Sequence, residues 1–511
     1  MFLGIDLSTQ QIKACVLNGD NPNFYRIEFD HDLPEFGTTG GVIRAKNGEV
    51  YSPVHMWLTG FMLLFDRMKD DKVDFSQIKA ISGCAQQHGS VYWNKNASEI
   101  LSKLKSEKGL DVLLKEAFSK PFAPVWMDTS TFAECDILEK AAISAERLSQ
   151  ITGSSAHPRF TGPQIMKLYR QQPNVYSETK RISLISSFGA SLFVGEIAPI
   201  DSADASGMNL LNIFTQQWDE QLLNVCAPDL RDRLGVVVPS KTVLSNICSY
   251  WVERYGFSQS CKVVAWTGDN PSSLVGNFVN GVGDRVISLG TSDVLMGLVS
   301  KPKLSSLGHV FISAIPSDAP FSSLLVYSNG AYTRQRIVTP HGDWDKLYHA
   351  LEQTSPGCNG CLSIHWPNTE ITPSGGRGVV RVNSLDEEVK EFDEYCECRS
   401  LIEGQFLAMR LHCEKLGMDH ADRIFVTGGA SKNLQIVQII SDVMNAPVFS
   451  IETTEAAAFG SALRAMYSTS ERTVKGSHRV LAQPRSSAIY DKLLPRYEAL
   501  ENKLLTSQNN S

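Results

Sequence analysis

Short apolar runs alternate with longer stretches of helical periodicity along this chain. Runs rich in branched aliphatic residues predict strands over 1–6, 13–17, 80–84, 263–266, 285–289, 295–298 and 423–427. Apolar positions recurring every three or four residues predict helices over 131–150, 400–415, 433–444 and 455–466. The first of these opens on Thr131-Phe-Ala-Glu134, the spacing of a capping box, in which hydroxyl and carboxylate each satisfy an orphan backbone donor. Gly153 then supplies its stop. Strands alternating with helices predict an α/β fold.

One pattern occurs twice. Residues 4–17, GIDLSTQQIKACVL, can be laid on residues 286–299, VISLGTSDVLMGLV. Ile5 then falls on Ile287, Leu7 on Leu289, Ser8 on Gly290 and Thr9 on Thr291. Each copy reads as a hairpin with a small, hydroxyl-rich turn. Two unrelated hairpins that both need small turn residues would look the same, but the half-chain spacing suggests a duplicated domain. The boundary is expected in the polar stretch 258–262, giving domains at 1–262 and 263–511, with the last helices packing back on the first.

Composition narrows the class. Of 511 residues 42% are hydrophobic and 20% charged, which suits packed cores rather than a disordered chain. The length suits two or three domains of about 150 residues. A net charge of −7 without any basic run argues against nucleic-acid binding. No run of about 18 apolar residues offers a membrane span. The first residues read as a strand rather than a leader, so a cytoplasmic protein is expected. Most of the eleven cysteines stand singly in apolar context. Cys358 and Cys361 in CNGC, with Cys396 and Cys398 in CEC, form a tighter group, more suggestive of free thiols than of zinc.

The hydroxyl-rich turns carry the first chemical signal. Gly, Ser and Thr let backbone amides and hydroxyls approach a phosphate unobstructed. Two such turns facing each other could hold a polyphosphate, and Asp6 beside the first could hold Mg²⁺ against it. There is no Gly-Lys dipeptide, so a P-loop is excluded, and GxGxxG and GxSxG are absent. Asp269, in WTGDNPS, follows an apolar strand where catalytic acids of α/β folds sit, or else caps a helix. His88, in CAQQHGS, follows another strand and is either structural or functional. FVTGGASKN at 425–433 reads as a strand, a Gly-Gly turn and a helix start, a place for an anionic ligand or simply a tight turn.

Taken in order, these segments resemble the FGGY carbohydrate kinases of the actin-like ATPase superfold. The resemblance rests on GIDLSTQQIK at 4–13, GCAQQHGSVYW at 83–93, VWMDTST at 125–131 and RFTGPQIMKLY at 159–169. It continues with DSADASGMNLL at 201–211, WTGDNPSSLVG at 266–276, ISLGTSD at 287–293 and VTGGASKN at 426–433. One departure is Tyr169, where the family often has Trp after the lysine, here Lys167. Residues 358–395 match no family feature.

The resemblance implies two actin-like, ribonuclease H-like ATPase domains around a central cleft. It implies transfer of the γ-phosphoryl group of ATP, with Mg²⁺, to a sugar hydroxyl, the sugar side in the first domain and the ATP side in the second. The QQHG and SADASG segments favour D-xylulose as acceptor over ribulose, glycerol, gluconate or another polyol. Asp269 matches the catalytic base, and His88, Arg159, Asp269 and Asn270 match the sugar contacts. Trp126 would stack on the sugar or serve as a core aromatic. Asp6 matches the metal-side carboxylate; Thr9 and Gly290, Thr291 and Ser292 match the phosphate turns. Gly429, Ala430 and Asn433 match the adenosine turn, Trp344 is placed over the adenine, and the small-residue helix from Glu455 to Ala462 is expected along that side. A monomer or homodimer is expected. The competing readings are a non-catalytic nucleotide-binding module and a zinc-dependent module built on the four clustered cysteines.

Overall fold

Both hydroxyl-rich turns join antiparallel hairpins, and each hairpin belongs to its own sheet. The computed structural model describes residues 1–315, 319–338, 344–451, 455–474, 476 and 478–509. The chain forms two units. The first comprises Met1–Phe278 with the later segments Phe311–Pro316 and Glu455–Gly476; the second comprises Val279–Val310, Ser317–Thr454 and Ser477–Ser511.

In the first unit the sheet order is Val243–Asn246, Lys262–Val264, Ala80–Ala85, Phe2–Leu7, Gln11–Asn18 and Asn21–Glu28. Phe2–Leu7 pairs antiparallel with Gln11–Asn18 and parallel with Ala80–Ala85. In the second unit the order is Val480–Ala482, Val448–Ser450, Arg423–Gly428, Asp284–Leu289, Asp293–Val299 and Phe321–Tyr327, with His309–Ile312 added at that edge. Asp284–Leu289 pairs antiparallel with Asp293–Val299 and parallel with Arg423–Gly428. The two sequences therefore build the same strand order and direction, and Leu7 and Leu289 both end the strand before the turn.

The central strands are buried on both faces, which explains their continuous apolar runs. Side chains alternate along Phe2–Leu7 with the period of two that a strand imposes. Leu3, Ile5 and Leu7 join the core containing helix Val54–Asp70, with Trp57, Phe61 and Phe65. Burying each of these side chains stabilises the fold by about 1.5–3 kcal/mol. Phe2, on the other face, packs with Ala458, Phe459, Ala462 and Leu463 of helix Ala456–Thr469. That helix lies so close that a Cβ on Gly4 would stand 2.1 Å from the Ala458 oxygen. Its small residues are the condition for this approach.

Three expectations are corrected. The boundary lies at 278/279 rather than 262/263, because Lys262–Val264 and Thr267–Gly268 pair with Ala80–Ala85 and helix Asp269–Gly276 packs beside them. The helix 456–469 lies in the first unit, where the last helices are expected to pack back, while the final helix Ser487–Asn509 stays in the second. The helix expected over 131–150 is two, Phe132–Ala141 and Ala145–Thr152. Ile143 takes a left-handed φ of 82°, and Ser144 restarts the helix by accepting from the Arg147 amide. The capping box does not form; Thr131 Oγ1 donates instead to the Pro158 carbonyl at 2.6 Å.

The stretch 358–395 becomes a 3-10 turn, Cys358–Gly360, and a hairpin, Leu362–Trp366 with Gly378–Val382, in the second unit. All eleven cysteines are free. Among the described residues no helix is long and apolar enough to cross a membrane.

Candidate active site

The first unit holds seven of the expected residues, several of them at or just past the ends of its central strands. Asp6 is the penultimate residue of Phe2–Leu7 and only 1% exposed. Its carboxylate accepts from Ser8 Oγ at 2.7 Å and lies 3.4 Å from Lys13 Nζ. Burial raises its pKa, and Lys13 opposes that shift. On the next turn atom outward, Thr9 Oγ1 donates to Gln86 Oε1 at 3.2 Å and accepts from Trp126 Nε1 at 2.9 Å. Trp126 is 41% exposed, so it is not a core aromatic. Its ring is held by one edge with a large surface facing water.

His88 lies three residues past the strand Ala80–Ala85, in the loop before Ser90–Asn94, in a left-handed conformation, φ 70°. Its Nδ1 stands 2.9 Å from the Gly207 carbonyl, which can only accept, so Nδ1 carries the proton and Nε2 a lone pair. The ring stacks on Phe160 at 4.3 Å, and Arg159 sits over the same phenyl ring at 6.0 Å. Burial, aided by Arg159, lowers the His88 pKa to about 3. The imidazole is therefore neutral throughout the physiological range, able to accept at Nε2 and not to repel the guanidinium beside it.

Asp269 is the first residue of helix Asp269–Gly276, with Gly268 as its N-cap. Its Oδ1 accepts from the Asn270 amide at 2.8 Å, which orients the carboxyl. Burial, then repulsion from Asp6, pushes its pKa up to about 7. A carboxylate with a pKa near the working pH is a far better proton acceptor than one near 4. Asn270 Nδ2 donates to Gln87 Oε1 at 2.9 Å.

Three functional neighbours escaped the sequence reasoning. Gln87 holds Asn270, and its neighbour Gln86 holds Thr9; both lay within the quoted QQHG segment, and the signal was their pairing with a strand end. Asp204 is fully buried behind Gly268, where a Cβ would stand 2.9 Å from its Oδ1. Ser186 donates to it at 2.5 Å, and burial lifts its pKa to about 8. Nothing in its spacing distinguished Asp204 from Asp201.

The second unit holds the remaining expected residues. Gly290, Thr291 and Ser292 form the turn between Asp284–Leu289 and Asp293–Val299. The turn is fixed from below by Asp293, whose carboxylate takes both Arg334 nitrogens, Nη1 at 2.7 Å and Nη2 at 2.8 Å. Gly429 and Ala430 lie in the 3-10 turn Gly429–Lys432, and a Cβ on Gly429 would meet open space. The glycine the backbone requires is the preceding one: Gly428 has φ 89°, and a Cβ there would stand 2.4 Å from the Leu289 oxygen. Asn433 caps helix Leu434–Met444 through the Ile436 amide at 2.8 Å. Trp344 begins helix Trp344–Gln353, half-buried, its ring 6.5 Å from Tyr348.

Among the described residues no group of three or more His, Cys, Asp or Glu side chains is arranged to hold a metal ion. Mg²⁺ that arrives on phosphates needs only one or two carboxylates and water. Asp6, a buried carboxylate at a strand end with a hydroxyl beside it, fits that requirement.

The FGGY family of carbohydrate kinases matches by its N-terminal domain over residues 111–276 and by its C-terminal domain over 387–469. Xylulose kinase from Mus musculus is 44% identical over 523 residues, spanning 99% of this chain and 94% of its own. Xylulose kinase 2 from Arabidopsis thaliana is 42% identical over 486 residues, spanning 91% and 87%. The crystal structure of xylulose kinase from Rhodospirillum rubrum superposes with a TM-score of 0.82 at 14% identity, 99% of each chain covered. The chain belongs to the FGGY family of carbohydrate kinases.

Proposed function

We propose that this enzyme transfers the γ-phosphoryl group of ATP to D-xylulose, giving D-xylulose 5-phosphate. The choice of sugar is supported by the identity to relatives named xylulose kinases along nearly the whole chain. The observation that carries the chemistry is Asp269, an oriented carboxyl with a pKa of about 7.

Phosphoryl transfer needs positioning and charge stabilisation more than covalent chemistry. Asp269 accepts the proton of the sugar hydroxyl as that oxygen bonds to the γ-phosphorus and the bond to ADP breaks. His88 Nε2, Arg159 and Asn270 fix the sugar's hydroxyls and carbonyl, with Trp126 laid over its apolar face. A site built from such groups rejects analogues that leave them unpaired. Thr9 and the Gly290, Thr291 and Ser292 turn are assigned to the phosphates, and Gly429, Ala430, Asn433 and Trp344 to the adenosine. Asp6 is assigned to Mg²⁺, which when bound neutralises phosphate charge. The first unit thus carries the sugar residues and the second most of the nucleotide residues.

The deciding experiment is a substrate panel read by ADP release. D-xylulose should exceed ribulose, glycerol and gluconate in kcat/KM by orders of magnitude; a better rate with any of these overturns the assignment. Two further results are expected. His88→Ala should lower kcat/KM for xylulose far more than the sugar-independent ATPase, and equal losses would make the histidine structural. The pH profile of kcat/KM should fall about tenfold per unit below an apparent pKa near 7, because Asp269 must be ionised to act as base. A profile flat down to pH 5 would contradict that role.

A further inference from the structure

The cysteines of CNGC and CEC are brought together by the fold, although the reaction uses none of them. Cys358 Sγ lies 2.8 Å from Cys396 Sγ, closer than non-bonded carbon atoms pack at about 3.5–4.0 Å. Cys361 is close enough to Cys396 to help hold its own thiol above the usual range. Cys398, two residues along the helix, turns away and is buried in the core with Leu401 and Ile402. The four residues therefore do not form a common ligand set, in line with the absence of a metal-holding group among the described residues.

Both backbones of the close pair are fixed. The Gly357 amide donates to Glu403 Oε1 at 2.9 Å, and the Gly360 carbonyl accepts from Arg496 Nη1 at 2.9 Å. On the other side, Asp393 Oδ1 caps the helix Glu394–Lys415 by accepting from the Tyr395 and Cys396 amides, each at 3.0 Å. Two thiols held at this separation need little rearrangement to bond, whereas cysteines pointing apart need backbone movement. Cys358 is buried and Cys396 half-buried, so the pair has one sulfur reachable from solvent and one behind it.

We propose that Cys358 and Cys396 form an oxidative modification site, closing to a disulfide on reaction with a hydroperoxide. Cys396 sulfur attacks the peroxide oxygen, the O–O bond breaks, and Cys396 becomes a sulfenic acid with release of water or the alcohol. Cys358 sulfur then attacks the sulfenic sulfur, the S–O bond breaks, and the hydroxyl leaves as water with the Cys358 proton. Two electrons pass from the sulfurs to the peroxide, and a thiol reductant reverses the change. The bridge staples the Cys358–Gly360 turn to the first turn of helix Glu394–Lys415, enclosing the hairpin between them.

The test treats the intact wild-type protein with hydrogen peroxide, alkylates the remaining thiols and maps the peptides by mass spectrometry. The expected result is a Cys358–Cys396 link, two fewer alkylated thiols, and reversal by dithiothreitol. The oxidised form should melt about 5 °C or more above the reduced form, since a cross-link restricts the unfolded chain. Cys398→Ser should form the same link. Full alkylation of both thiols after peroxide overturns the proposal. So does a link from Cys361 to either Cys358 or Cys396 in place of the expected one.

Discussion

Asp269→Asn should lower the turnover of xylulose by about 10²–10⁴-fold while leaving ATP affinity within a few-fold of the wild type. Asparagine keeps the shape and the bond from the Asn270 amide, so the substitution removes the proton acceptor alone. It should also raise the melting temperature at pH 8. The folded-state pKa of Asp269 lies near 7, above that of a carboxyl in the unfolded chain, so the folded state binds more protons between about pH 4 and 7. Stability contributed by the protonated form is present at low pH and is lost as the pH rises through 7. Asparagine cannot ionise and escapes that loss. Calorimetry at pH 8 beside steady-state kinetics separates the outcomes: near-normal turnover would end the base assignment, and a lower melting temperature would end the electrostatic one.

Asp293→Ala should have the largest effect on stability, about 3–5 kcal/mol in the second unit. Arg334 is wholly buried, and its two nitrogens rest on the Asp293 carboxylate, with Gln405 Oε1 as a further acceptor at 2.9 Å. Alanine would leave a guanidinium charge buried opposite a cavity. At about 2–4 °C per kcal/mol for a unit of this size, the melting transition should fall by about 10 °C. Replacing both partners, Asp293→Leu with Arg334→Met, should recover most of the loss, because it removes the orphaned charge as well. A single variant that melts within 2 °C of the wild type would show that the pair contributes little.

Much of this molecule could be read from its residues. The hairpin likeness between 4–17 and 286–299 pointed to two sheets of the same order, because the strands buried on both faces keep continuous apolar runs. Asp6, Thr9, His88 and Asp269 were findable for a local reason: each lies at a strand end beside small residues. What escaped notice depends on distance in sequence. Gln87 matters through Asn270, 183 residues away, and Asp204 through Gly268. The break at Ile143 hides because a β-branched residue with positive φ contradicts its own preference. Periodicity likewise tells which face of helix 456–469 is apolar and not which sheet it covers.

That returning helix governs how the protein can be made. The ribosome releases the first 278 residues long before Ala456–Thr469 exists, so the nascent sheet waits with Phe2, Cys15 and Leu17 bare on one side. Chain termination before residue 455 should yield an aggregation-prone fragment rather than a smaller working enzyme, and maturation of the amino-terminal half is bound to completion of translation.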